Sequence, residues 1–116
     1  MTSVIRLGDI AHARSGDKGN HANIGVVAYS HDGYQYMKKV LTEVAVSKFF
    51  TDLMPTKVER FELPGIDALN FVLHNALAGG ASQSLRTDSQ GKVLGLAILE
   101  MPLPLPPDLE SMRKKG

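Results

Sequence analysis

A run of small and polar residues between positions 15 and 20 could hold a negatively charged group. The run is Ser15-Gly16-Asp17-Lys18-Gly19-Asn20. Glycine tolerates positive φ, so the backbone N–H groups of such a loop can turn inward and form a concave anion nest. Arg14 and Lys18 would add positive charge at its rim. We predict an anion- or ligand-binding site with these members: Arg14, Ser15, Gly16, Asp17, Lys18, Gly19, Asn20 and Asn23. A plain connection between two strands is the alternative.

Known nucleotide-binding motifs do not account for this loop. The order Gly16-Asp17-Lys18-Gly19 lacks the Gly-Lys-Ser/Thr of a phosphate-binding loop, and it is not a dinucleotide fingerprint. It matches the G-x-x-G of a KH domain, but KH loops join two helices, whereas this loop joins two apparent strands. RNA binding is therefore a distant third hypothesis, and we expect no nucleic-acid partner.

A second polar cluster follows later in the chain and consists of Asn70, Gly79, Gly80, Ser84 and Arg86. A solvated sheet face is the usual explanation for such residues. The four histidines lack a metal-binding spacing such as i, i+4 on a helix, so we expect no metal site. His12 and His21 flank the polar loop, and either is a conceivable general base. The pattern assigns no catalytic residue and indicates no cofactor.

Composition narrows the class of protein. The 116 residues are 43% hydrophobic and 22% charged, which is ordinary for one globular domain. The formal net charge of +1 supplies no global field that would attract nucleic acid or an anionic membrane. Cysteine is absent, which excludes disulfides and thiolate chemistry and fits a reducing compartment. No stretch approaches the roughly 18 apolar residues of a membrane span, so we expect a cytoplasmic protein.

The first half of the chain predicts strands followed by helical structure. Alternation predicts a strand over residues 4–14 and a second over 22–30, with the polar loop between them. Helical spacing over residues 37–53 predicts one helix or two, and Thr42 could cap the second. Alternation over Val58–Leu63 predicts a third strand, which Pro64-Gly65 ends.

The second half contains the most regular apolar stripe. It predicts a helix over residues 67–78, with Asp67 as N-cap and Gly79-Gly80 beyond its end. The stripe is made of Leu69, Val72, Leu73, Ala76 and Leu77. Residues 83–87 and 92–101 then read as a strand hairpin, and the proline-rich run after Met101 as an extended tail.

This order of elements predicts an α+β fold of the ferredoxin-like kind. We expect a mostly antiparallel sheet of about five strands with two or three helices on one face. The domain would cover residues 1–101 and the proline-rich extended tail residues 102–116. A small open sheet has two edges and this composition has few edge-blocking features, so we also expect a homo-oligomer.

Several separated strings resemble the C-terminal domain of the acyclic terpene utilisation protein family AtuA. They match in the right order over about Val4 to Glu100, and that domain is ferredoxin-like in fold. The strings are residues 13–20, 22–26, 69–73, 76–80 and 84–92, which read ARSGDKGN, ANIGV, LNFVL, ALAGG and SLRTDSQGK.

The resemblance implies a place in the catabolism of branched or terpenoid acids as coenzyme A thioesters. The large N-terminal domain of that family is not part of this sequence, so the resemblance also implies a small subunit for a larger AtuA-like partner. An acyl-coenzyme A ligand is implied in the same way. A self-associating ligand- or protein-binding module without catalytic activity is the alternative.

Overall fold

The computed structural model describes residues 4–18, 21–75 and 90–113, without the side chains of residues 17, 18 and 90–93. Within these ranges the chain forms an α+β fold with antiparallel sheets, as predicted. The strands are β1 Val4–Arg6, β2 Ala11–Lys18, β3 His21–Ala28, β4 Lys57–Leu63, β5 Ala68–His74 and β6 Pro102–Pro104. The helices are α1 His31–Val40, α2 Glu43–Phe49 and α3 Gln90–Ile98. Short 3-10 helices span Leu7–Asp9, Thr51–Leu53 and Pro64–Ile66.

Among the described residues, the main sheet has four strands in the order β2-β3-β5-β4, and every neighbouring pair is antiparallel. Side chains alternate across a strand, so residues that pair in register share a face. The buried set includes Ile24 and Val26 of β3 and Leu69, Phe71 and Leu73 of β5. These side chains form the apolar core with residues of the three helices.

The helical region after β3 contains two helices, which settles the question that the sequence left open. The hydroxyl of Ser30 caps α1 by accepting a hydrogen bond from the N–H of Gly33 at 3.0 Å. Thr42 caps α2 as predicted, because its hydroxyl accepts from the N–H of Ala45 at 3.1 Å. Each cap satisfies an N–H group that has no partner inside its own helix.

The predicted helix over residues 67–78 is wrong within the described residues, because Ala68–His74 is strand β5. The segment satisfies two periodicities, and Leu69, Phe71 and Leu73 alternate as well as any strand. Pairing with both β3 and β4 decides between them. Asp67 adopts a left-handed φ of 53° after the 3-10 helix, so it does not act as an N-cap. Residues 76–78 lie outside the described residues.

The predicted strand over residues 92–101 is also wrong, because Gln90–Ile98 is helix α3. An all-apolar run does not distinguish a central strand from a buried helix. Leu94 and Ile98 are buried and lie one helical turn apart, which is the spacing that the structure uses. The predicted partner strand over residues 83–87 lies outside the described residues.

The first predicted strand is divided in two. The 3-10 helix Leu7–Asp9 separates β1 from β2, and Asp9 stabilises this turn by accepting a hydrogen bond from the N–H of Arg6 at 3.0 Å. The start of the proline-rich tail is extended, as predicted. Its segment Pro102–Pro104 pairs with β1 as strand β6, with buried Leu103 opposite Ile5. The division of the chain at residue 101 stays a prediction.

Candidate functional site

One face of the four-stranded sheet carries a mixed polar and apolar surface, which we call the open face. The other face carries the core, and Ser15 and Arg60 on that face hydrogen-bond to helix residues. Cross-strand pairing defines the members of the open face. They are His12, Arg14 and Gly16 of β2; His21, Asn23, Gly25 and Val27 of β3; Ala68, Asn70, Val72 and His74 of β5; and Lys57, Glu59, Phe61 and Leu63 of β4.

A row of four residues crosses the middle of the open face. Arg14 pairs with Gly25, Gly25 with Asn70, and Asn70 with Phe61. A Cβ built on Gly25 would lie 3.6 Å from the Oδ1 of Asn70. Gly25 has no side chain and lies between the exposed Arg14 and the half-buried Asn70. The exposed Asn23 lies two residues away on the same face.

Such a row can recognise an amphipathic anion. The guanidinium group of arginine matches the planar geometry of a carboxylate or phosphate, and side-chain amides supply further hydrogen bonds. Phe61 is 46% exposed and Val27 and Val72 are half-buried, so apolar surface surrounds the polar groups. This is the combination of a few polar groups with apolar walls that small-molecule sites use.

The predicted loop at residues 15–20 is wrong over residues 15–18, which belong to β2. In a paired strand successive backbone groups point in opposite directions, so these amides do not converge into a nest. Ser15 lies on the core face, where its Oγ accepts a hydrogen bond from the N–H of Gly95 at 2.7 Å. Arg14, Gly16 and Asn23 share the open face. Gly19, Asn20 and the side chains of Asp17 and Lys18 lie outside the described residues, and anion binding stays a prediction.

The second predicted cluster is described only at Asn70, which lies on β5 and not on a helix. Gly79, Gly80, Ser84 and Arg86 lie outside the described residues. Asn70 instead joins Arg14 across Gly25, so the structure brings together one member from each predicted set.

Titratable residues meet at one end of the open face, and of these only His21 was a candidate from the sequence. The Nε2 of His74 lies 2.6 Å from the Oε1 of Glu59, and the Nζ of Lys57 lies 3.8 Å from the Oε2 of Glu59. The hydrogen bond from His74, aided by Lys57, holds the pKa of the Glu59 carboxyl below its usual value. The rings of His74 and His21 meet edge-on, with centroids 4.9 Å apart.

The tautomer of His21 follows from its partner. Its Nδ1 accepts a hydrogen bond from the backbone N–H of Asn75 at 3.0 Å, so the proton of the neutral ring is on Nε2. The helix predicted over residues 67–78 did not indicate a contact between His74 and Glu59. Strand periodicity across both 57–63 and 68–74 was the sequence signal that could have brought them together.

Neither a metal site nor a membrane span is found in the described parts of the chain. No group of three or more histidine, aspartate or glutamate residues there could hold a metal ion. No helix of the described residues is long and apolar enough to cross a membrane.

Comparison with known families assigns the chain. The family model of the AtuA ferredoxin-like domain matches residues 5–104. The chain belongs to this family. The AtuA ferredoxin-like domain match confirms the resemblance read from the sequence and relates the protein to acyclic terpene utilisation. It extends from β1 to β6, so the described parts of both sheets are included. Comparison with curated proteins gave no match, and comparison with solved structures gave none either.

Proposed function

We propose that this protein acts as an accessory or small subunit with a larger AtuA-like chain in the catabolism of branched or terpenoid acyl-coenzyme A compounds. Membership of the AtuA ferredoxin-like family supports the metabolic setting. The open face supports a binding role, and the observation that carries it is the row in which Arg14 and Asn70 flank Gly25.

The chemistry of the open face suits a coenzyme A thioester. Arg14 binds an anionic phosphate or carboxylate, and the amides of Asn23 and Asn70 hydrogen-bond to polar atoms of the ligand. The exposed side chains of Phe61 and Leu63 pack against its hydrocarbon part. A flat face of this kind encloses little of a ligand, so the larger chain supplies the opposite wall.

The test is a binding titration of isovaleryl-coenzyme A into the protein mixed with the larger AtuA-like chain. We expect Arg14→Gln to weaken binding roughly ten- to a hundredfold, which corresponds to the loss of one charge-assisted hydrogen bond. Arg6→Gln is the matched control, because Arg6 is also exposed but pairs with Glu100 beside the two-stranded sheet. If the wild type and both variants bind the ligand equally well, Arg14 is not part of the binding site.

The competing function is a self-associating binding module without chemistry of its own. It predicts a stable oligomer of this chain alone and no affinity for the larger AtuA-like chain. Light scattering of the isolated protein and co-purification of the two chains separate the hypotheses. A 1:1 complex with the larger chain supports the accessory subunit, and a homo-oligomer that ignores the larger chain supports the module.

A further inference from the structure

The two edges of the main sheet differ in how their backbone groups are protected. On β4, the outward N–H of Arg60 donates to the Oε2 of Glu43 at 2.8 Å. Next to β2, the N–H of Tyr29 donates to the carbonyl of Ile10 at 3.0 Å. Ile10 and Tyr29 are therefore a hydrogen-bonded pair, and every second pair along β2 and β3 is hydrogen-bonded in the same way. Antiparallel pairs alternate, so Ala13 and Ser15 point their N–H and C=O groups away from β3. Neither N–H has a hydrogen-bond partner among the residues that the structure describes.

A groove lies along this edge of β2. Its volume is about 400 Å³, and it is lined by Ala13, Arg14, Ser15 and Leu96. Leu96 projects from α3 and is 70% exposed. The groove therefore combines unpaired backbone groups, apolar side chains and one cation, all within the described residues.

We propose that the outer edge of β2 binds an extended segment of a partner protein by strand addition. The segment pairs its backbone with Ala13 and Ser15 and becomes a fifth strand of the sheet. Its side chains alternate between the two faces of the sheet. Those on the core side fill the groove beside Leu96 and are apolar, and those on the open-face side lie beside Arg14 and are acidic.

Charge decides between such a partner and a second copy of this chain. An antiparallel pair of β2 strands centred on Arg14 would place two like charges directly opposite each other, which destabilises a sheet. An acidic side chain opposite Arg14 is favourable instead. Both proposals use Arg14, but backbone pairing at Ala13 and Ser15 plays no part in coenzyme A binding. The peptide tests can therefore fail while the coenzyme A titration succeeds, and the reverse.

The first test uses the protein alone with synthetic peptides. A short peptide that alternates valine and glutamate is compared with one that alternates valine and lysine, and with a valine–glutamate peptide whose pairing amides are N-methylated. We expect the glutamate peptide to bind about tenfold or more tightly than the other two, since each lacks one kind of contact. Equal binding of all three peptides would overturn the proposal.

Hydrogen exchange locates the bound strand. We expect the amides of Ala13 and Ser15 to exchange freely in the protein alone and to slow on addition of the glutamate peptide. Slow exchange of both amides before the peptide is added would mean that the edge is already occupied, and would overturn the proposal. If the peptide slows amide exchange on β4 instead, it binds at the other edge of the sheet, and this result would also overturn the proposal.

Two variants separate strand addition from non-specific binding of the peptide. Ala13→Pro removes an outward N–H without removing a bond to β3, a position where an edge strand tolerates proline. We expect it to weaken the glutamate peptide about tenfold, and Leu96→Gln to weaken it several-fold. Val44→Gln is the matched control, because Val44 is an exposed apolar residue on α2. If the Ala13→Pro protein does not fold, the N-methylated peptide tests the same backbone hydrogen bonds in the wild-type protein. If it binds as tightly as the unmethylated glutamate peptide, strand addition is contradicted.

Discussion

The carboxylate of Glu43 accepts a hydrogen bond from the backbone N–H of Arg60, with Oε2 2.8 Å from the nitrogen. Glu43 is the first residue of α2, and Arg60 lies in the edge strand β4. The N–H of Arg60 points away from β5. The carboxylate accepts the hydrogen bond that this N–H could otherwise donate to a strand of another protein. Acidic side chains at sheet edges protect proteins from edge-to-edge association.

Glu43→Ala is therefore expected to increase self-association. It exposes the N–H of Arg60 beside Val44 and Phe61, which are 64% and 46% exposed. Light scattering across a concentration series measures the effect. Asp52→Ala is the control for the lost negative charge, because Asp52 is exposed and lies in a 3-10 helix. A mass distribution identical to that of the control would contradict the protective role of Glu43.

The side chain of Arg60 closes the end of α1. Its Nη1 donates to the carbonyls of Lys38 at 2.9 Å and Leu41 at 3.1 Å, which are among the groups that a helix leaves without partners. We expect Arg60→Met to lower the free energy of unfolding by about 1 to 3 kcal/mol. Arg6→Met should change it by less than about 0.5 kcal/mol, since the exposed pair of Arg6 with Glu100 contributes little. Urea denaturation compares the two variants, and equal losses would contradict the account.

Gly95 allows α3 to approach β2 closely. A Cβ at this position would lie 2.7 Å from the Oγ and 3.3 Å from the nitrogen of Ser15. We expect Gly95→Ala to lower the free energy of unfolding by about 1 to 3 kcal/mol, because α3 and β2 must move apart to make room for the methyl group. Ser15→Ala in the same chain removes the nearest atom and should recover part of the loss.

Gly65→Ala serves as the control for Gly95→Ala in the same denaturation experiment. A Cβ on Gly65 would meet nothing within 4 Å. If Gly95→Ala lowers the free energy of unfolding by no more than Gly65→Ala does, α3 and β2 do not pack closely at Gly95.

Glu59 links stability to pH. The hydrogen bond from His74 holds the pKa of its carboxyl below the usual value of 4.5. The folded protein therefore favours the charged carboxylate more than the unfolded chain does, so the contribution of Glu59 is present above pH 4.5 and is lost as pH falls through the lower folded-state pKa.

Glu59→Gln should thus destabilise the protein at neutral pH and make little difference at strongly acidic pH. Denaturation at a series of pH values gives the comparison with wild type. Glu110→Gln controls for the loss of a carboxylate, because Glu110 is exposed and pairs with Arg113 nearby in sequence. A destabilisation by Glu59→Gln that is constant across the series would contradict the linkage.

Local sequence patterns predicted those elements whose signals agreed with each other. Thr42 offers a side-chain cap at the start of a helix, and β4 alternates between two turn signals. Two elements were assigned the wrong type because their patterns satisfy both periods. Leu69 and Leu73 fit a helix face as well as a strand face, and pairing with β3 and β4 decided for the strand. The pairing of β5 with β3 joins segments that are far apart in the sequence.

The candidate site was predicted in part for the same reason. Arg14 and Asn23 lie near each other in sequence, and both were assigned to one site. Asn70 joins them only through the register of β3 with β5, which no local pattern specifies. The pair of Glu59 and His74 depends on the register of β4 with β5 and was missed entirely.

An amide spectrum recorded by NMR shows whether the open face binds the acyl-coenzyme A ligand. The isotopically labelled protein is bound to the unlabelled larger AtuA-like chain and titrated with isovaleryl-coenzyme A. We expect shifts that cluster at Asn23, Gly25 and Asn70 and leave the amides of α2 unchanged. Shifts confined to the helices, or no shifts when the ligand is saturating, would contradict it.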